Sequence, residues 1–203
     1  MKMIIVALVS IFLYQQNSPP VVKITVKGTG AIVPVNSTVR YSISVSDKED
    51  GDTKYDEIVP NEILLRVSAG ADTSKEDRII LHSMMVSNCM NCHAFNAKLI
   101  GPSFSEISTR YSSSANTDDI IKRVRDGSKG IWGDIVMPTH HELSEEETRK
   151  MVKWILKFNK KKNVQYYLGT EGSFRVETPV VLTASYLDHQ KAIGEDRMLI
   201  NVK

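Results

Sequence analysis

Cys89-Met90-Asn91-Cys92-His93 holds the only two cysteines of this 203-residue chain. Its C-x-x-C-H spacing is that of haem c attachment. Two intervening residues let both thiols reach the two vinyl groups on one edge of a haem and add across them as thioethers. The adjacent histidine is thereby placed under the iron. A bare C-x-x-C pair also serves as a redox dithiol or as half of a zinc site. Zinc would need a further ligand beside His93, and a redox dithiol wants a βαβ surround.

The surround is helical. Upstream, Ile79, Ile80, Met84 and Met85 recur at helical spacing after Thr73-Ser74, a capping pair. Downstream, Ile120, Ile121 and Val124 follow Asn116-Thr117 in the same way. The clearest helix starts at Ser144, with Glu147 three residues later as a capping box. Met151, Val152, Ile155 and Leu156 make its apolar stripe, and Lys150, Lys153 and Lys157 suit its C-terminal half.

Farther out the period becomes two on both sides. Val21 to Val26, Thr38 to Val45 and Ile63 to Val67 read as strands before the helices. Ser173 to Glu177, Val180 to Tyr186 and Met198 to Val202 read as strands after them. Pro19-Pro20, Gly28-Thr29-Gly30 and Asp50-Gly51-Asp52 punctuate the first set as turns.

The middle segment resembles the small single-haem class I cytochromes c of bacteria, the c551 and c552 kind. After Cys89-x-x-Cys92-His93 come Gly101-Pro102, Phe104, a helix ending in Arg110-Tyr111, and Gly127-Ser128-Lys129-Gly130-Ile131-Trp132-Gly133. Met137-Pro138 and Val152-Lys153-Trp154-Ile155 follow. The spacing from His93 to Met137 suits this size class. The resemblance implies one covalent haem c, with His93 as proximal ligand and Met137 as sixth ligand. It implies that the Pro102 carbonyl orients the His93 ring, and that Trp132 and Arg123 contact a haem propionate. This chain has Met137-Pro138-Thr139-His140 where the family often has Met-Pro-Pro-Asn, so an asparagine that could tune the methionine sulfur is missing.

Other candidates read more plainly. Met84, Met85 and Met151 lie on apolar helix faces and read as core, as does Trp154. Met90 sits inside the attachment loop. His140 and His141 follow Met137 closely and read as solvated loop residues. His82 and His189 carry no motif. Asp47, Glu49, Asp50 and Asp52 lack EF-hand spacing and read as a solvated turn rather than a calcium site. Lys157, Lys160, Lys161 and Lys162 form a basic exit from the last helix.

The flanking strands resemble Ig-like, PKD-type modules, through Ser46-Asp47-Lys48-Glu49-Asp50-Gly51 and Leu182-Thr183-Ala184-Ser185-Tyr186-Leu187-Asp188. The fold class expected is therefore α+β and multidomain. It comprises an all-α class I cytochrome c domain flanked by Ig-like β-sandwich segments, read as one sandwich with the cytochrome inserted. The expected divisions are 1–18 for a signal peptide, 19–73 for the N-terminal strands, 74–160 for the cytochrome and 165–203 for the C-terminal strands.

Lys2 followed by the uncharged apolar run Met3 to Tyr14 fits a secretory leader. A helix of that length spans about 18 Å, short of a hydrocarbon core of about 30 Å. Gln15-Gln16-Asn17-Ser18 offers no A-x-A cleavage site, so an uncleaved anchor or a strand is the other reading, and membrane contact is expected only if the leader stays. A net charge of +2 and 7% aromatic residues exclude a nucleic-acid partner. The function expected is electron transfer outside the cytoplasm, with exported redox proteins such as a dehydrogenase or a terminal oxidase as partners, and no catalysis by the chain itself. A haem enzyme or gas sensor whose Met137 leaves the iron is one alternative. A carbohydrate- or protein-binding β module with accessory haem is the other.

Overall fold

The computed structural model describes residues 17–28, 32–70, 75–111, 116–161 and 163–203. The leader up to residue 16, the Thr73-Ser74 cap, most of the Gly28-Thr29-Gly30 turn, and Lys162 lie outside the described residues. Five strands come first, β1 (Val21–Lys27), β2 (Ile32–Val33), β3 (Ser37–Asp47), β4 (Gly51–Asp52) and β5 (Ile63–Ser68). Five helices follow, α1 (Lys75–Val86), α2 (Cys89–Cys92), α3 (Phe104–Tyr111), α4 (Thr117–Asp126) and α5 (Glu145–Leu156). Four strands close the chain, β6 (Val164–Leu168), β7 (Glu171–Val176), β8 (Val180–Leu187) and β9 (Ile193–Val202).

Strands from before and after the helices pair with each other. In one sheet β3 pairs antiparallel with β1 on one side, and with β7 and β4 on the other. The second sheet runs β2-β9-β8-β5-β6. The helical segment is an excursion between the neighbouring strands β5 and β6. Ser68 pairs with Val164, and the Ala69 N–H donates to the Asn163 carbonyl at 2.9 Å.

Alternation explains which faces meet. In β3, Val39, Tyr41, Ile43 and Val45 point inward, while Thr38, Arg40 and Ser44 point out. They face Ile63, Leu65 and Val67 of β5, Leu182, Ala184 and Tyr186 of β8, and Ile200 of β9 across one hydrophobic core. Each valine, leucine or isoleucine buried there contributes roughly 1.5–3 kcal/mol. The corner between the sheets is closed at β1 and β9. The Ile24 N–H donates to Asp196 Oδ2 at 2.8 Å, and Gly194 lies so close under Pro20 that a Cβ there would come within 2.1 Å of the Pro20 carbonyl oxygen. That leaves part of the β1 edge unavailable to a foreign strand.

Strand β5 is buried on both faces. Its outward residues and those of β8 form the floor on which α1 packs, through a polar seam. Arg78 pairs with Glu195, Lys161 pairs with Asp77, and buried His82 Nε2 lies 3.0 Å from Ser185 Oγ. Burial, reinforced by the Arg78 charge, pushes the His82 imidazole down to about 4.

Three strands are additions to the sequence expectation. β2 and β4 span two residues each, too short to carry a period. β6 falls almost wholly within the expected 165–203 strand region, but Val-Gln-Tyr-Tyr-Leu shows no clean alternation. Tyr166 joins the helical core, whereas Tyr167 packs against the sandwich core.

Candidate functional site

Helix α1 ends at Val86, and Asn88 turns the chain through a left-handed conformation (φ 60°) into the single turn α2. One turn is what the two thiols need, since residues three apart lie on one face of a helix. His93 leaves the turn extended, with its N–H donating to the Cys89 carbonyl at 3.0 Å. The loop then folds back, with the Gly101 N–H on the Cys92 carbonyl at 2.9 Å.

This return clamps the His93 ring. Its Nδ1 lies 2.6 Å from the Pro102 carbonyl oxygen, so Nδ1 carries the proton and donates, leaving the Nε2 lone pair free. Gly101 packs against the ring edge, where a Cβ would come within 2.5 Å of Cε1. Phe104, the first residue of α3, stacks on the ring at a centroid distance of 5.9 Å and 14°. The start of α3 is fixed by a reciprocal cap, with Ser103 Oγ accepting from the Glu106 N–H at 3.1 Å and Glu106 Oε2 accepting from the Ser103 N–H at 2.8 Å.

Met137 approaches from the loop between α4 and α5. Its N–H donates to the Ser128 carbonyl at 2.9 Å, and its carbonyl accepts from the Ser128 N–H at 3.2 Å. Gly127, at φ 80°, lies beneath it, and a Cβ there would stand 2.9 Å from the Met137 carbonyl oxygen. On the far side of the loop, α5 opens on its capping box, with Ser144 Oγ accepting from the Glu147 N–H at 3.2 Å.

Between these elements lies a cleft of about 1230 Å³, part of it open to solvent. Cys89, Cys92, His93, Pro102, Arg123, Trp132 and Met137 all line it. The rest of the lining is largely aliphatic, including Ile107, Ile120, Val124, Val152 and Ile155. Exposed Ile100, Ile135 and Val136 also line it, at the solvent side. The Arg110 guanidinium lies 4.5 Å from the Trp132 ring centroid and donates to the Ile131 carbonyl at 2.9 Å. The sequence marks Arg110 only as the basic end of a helix. The basic-aromatic pair Arg110-Tyr111 is the signal for this stack, because Tyr111 meets Trp132 edge-on at 6.3 Å.

The remaining candidates fall elsewhere. His140 and His141 do not line the cleft, and Glu142 Oε1 lies 2.7 Å from His140 Nδ1. Met85, Met90 and Trp154 are core, and Met84 and Met151 are buried with faces on the cleft. In the acidic turn, Asp47 Oδ1 accepts from the N–H groups of Glu49 and Asp50 at 2.9 and 2.7 Å, and Asp50 Oδ2 accepts from the Tyr186 hydroxyl at 2.9 Å. These carboxylates bind the chain's own donors.

The chemistry of the lining discriminates between the readings of C-x-x-C. A reactive dithiol has a depressed pKa, but burial pushes the Cys89 thiol up to about 11. Both cysteines are unbridged. Among the described residues no group of three or more His, Cys, Asp or Glu comes together to hold a metal ion. An apolar cleft with two thiols and an imidazole among its walls, and a thioether in the α4–α5 loop, fits a flat apolar macrocycle with a metal at its centre.

Comparison with known proteins bears on the same residues. A model of the Cytochrome c family matches residues 82–159. Cytochrome c-551 of Azotobacter vinelandii is 38% identical over 69 residues, covering 34% of this chain and 83% of that protein. Cytochrome c-551 of Pseudomonas aeruginosa is 32% identical over 69 residues, covering 34% of this chain and 65% of that protein. The crystal structure of Nitrosomonas europaea cytochrome c552 matches 37% of this chain and 94% of its own, at 28% identity and a TM-score of 0.36. The helical segment, with its attachment turn and apolar cleft, makes this chain a member of the cytochrome c family, bearing one covalently bound haem c.

Proposed function

We propose that the chain is an electron carrier working outside the cytoplasm, with its haem iron held by His93 Nε2 and Met137 Sδ. When bound, the haem supplies a one-electron Fe(III)/Fe(II) couple. Cys89 and Cys92 fasten it through thioether links, which matters in a unit too small to enclose it by packing alone. Pro102 holds the His93 tautomer that leaves Nε2 free, and the paired backbone bonds at Ser128 hold Met137 in its loop. Trp132, steadied by Arg110, and Arg123 bind a propionate. With His93 and Met137 both on its iron, the haem would have no open position for a substrate, and the soft thioether would favour Fe(II). Ligands held this rigidly by Pro102 and Ser128 would keep the barrier to transfer low.

The observation that carries this reading is that Cys89, Cys92, His93 and Met137 line one apolar cleft. Redox partners would meet the haem edge near Cys89 and Cys92. The apolar run after Lys2 supports export of the chain, and the relatives named cytochrome c-551 support a haem carrier. The pairing of β3 with β7 and of β5 with β6 and β8 supports a single Ig-like sandwich into which the cytochrome is inserted.

The test is a haem stain and a visible spectrum of protein matured in a host that attaches haem c. Wild type is expected to give a low-spin spectrum, with the weak long-wavelength charge-transfer band of methionine sulfur on Fe(III). Met137→Ala keeps the covalent haem, loses that band, and opens the iron to carbon monoxide in the reduced state. Colourless protein with two free thiols would overturn the proposal.

A further inference from the structure

The aromatic packing behind His93 runs beyond the helices. Tyr166 lies on β6, outside the span 82–159 matched by the cytochrome c family. Its ring is 5% exposed and meets Phe95 at 5.3 Å, Trp154 at 5.5 Å and Phe158 at 6.1 Å. Phe95 and Trp154 both press on Phe104, at 6.0 and 6.1 Å. Phe104 is the residue stacked on His93. From the sheet side the Arg66 guanidinium, 5.8 Å from the Tyr166 centroid, closes the stack.

Each contact has a different hold on the imidazole. The Pro102 carbonyl fixes the Nδ1 edge, and the Gly101 backbone limits the Cε1 edge. A single hydrogen bond leaves the ring free to tilt about the donor–acceptor line. The Phe104 face removes that tilt, and Phe104 is held in turn by Phe95 and Trp154. Protein interiors are packed densely enough to transmit a displacement of this kind, and a cavity left by truncation relaxes only in part.

We propose that Tyr166 is a positioning residue for the His93 imidazole, acting through Phe95, Trp154 and Phe104. The β unit thereby takes part in setting the plane of an iron ligand. This inference rests on His93 being an axial ligand. Groups behind a metal-ligating histidine orient it and tune the metal, and here one of them comes from a strand that follows the helices.

The experiment uses the full chain, matured with haem, and proton NMR of the oxidised state. In low-spin Fe(III) haem the orientations of the two axial ligands together govern how unpaired spin spreads over the ring, so with Met137 unchanged the hyperfine-shifted haem methyl signals report the imidazole plane. Tyr166→Phe is expected to keep the wild-type order and spread of these signals. Tyr166→Leu and Tyr166→Ala are expected to change both, while Tyr55→Ala, at an aromatic that is 67% exposed, leaves them as in wild type. The leucine variant retains apolar bulk, so the test does not depend on the alanine variant folding. Unchanged methyl signals in folded Tyr166→Leu would overturn the positioning role. Wild-type protein with no shifted methyl signals of low-spin haem would instead overturn the assignment of His93.

Discussion

The β unit and the helical unit are built on opposite terms. The core between the two sheets is drawn from strands, with Ile58 of the β4–β5 connection added, and it is closed at its corner by Asp196 and Gly194. The helical core is not self-contained. Leu64 of β5 and Tyr166 of β6 are buried in it beside Phe95, Trp154 and Phe158, and Val164 and Leu168 pack against it. One unit encloses itself, and the other is completed by a cofactor on one side and by a borrowed sheet on the other. The cytochrome c segment has here been given a wall that belongs to the sheets.

The contrast can be broken most severely at the attachment turn. Replacing both Cys89 and Cys92 by alanine is expected to abolish covalent haem. Amide hydrogen exchange should then show protection lost in α2 to α5 but kept in β3, β5 and β8. Equal loss in both units would show that the sandwich depends on haem after all.

A smaller effect is expected within the sandwich. Leu182 is fully buried between the sheets, so Leu182→Ala should cost roughly 2–5 kcal/mol of stability in denaturant unfolding. The haem spectrum of the folded fraction should stay unchanged. A shifted spectrum would mean that the two cores are coupled more tightly than their contacts imply.

The seam between the units supplies the third case. The His82 imidazole is held at about 4 in the folded state against 6.5 when unfolded. The folded state therefore binds fewer protons than the unfolded chain between those values. The stability contributed by neutral His82 is fully present above pH 6.5 and is lost as the pH falls towards 4. The integrated effect is about 3 kcal/mol. His82→Asn cannot titrate there, so its stability should vary less steeply over that window. A slope equal to wild type would place the acid sensitivity outside His82.

Much of the site was written locally. The attachment turn, the Gly101-Pro102 return and the capped start of α5 each occupy a few consecutive residues, so their chemistry can be read without knowing the fold. Met137 stood out among eight methionines because it sits beside Pro138, between two helical stripes rather than on one. Alternation likewise exposed β3. The seam could not be read this way. His82 and Ser185 stand 103 positions apart, and nothing near either residue announces the other. Strand β5 is buried on both faces and opens on three apolar residues in a row, which hides that Leu65 serves the sandwich while Leu64 serves the helices. Tyr166 was hidden for the same reason, because neighbouring Tyr166 and Tyr167 point into different cores.

The register of Ser68 with Val164 has a consequence for the order of assembly. A chain that emerges from its N-terminus presents β5 long before β6 and β8 exist, so that strand waits without either neighbour while the helical segment threads past. The thiols of Cys89 and Cys92 therefore appear before the sheet can close behind them. Closing so long a loop adds little entropy, since that cost grows only with the logarithm of length. The attachment turn thus lies within a loop whose two ends meet only when Ser68 and Val164 come into register.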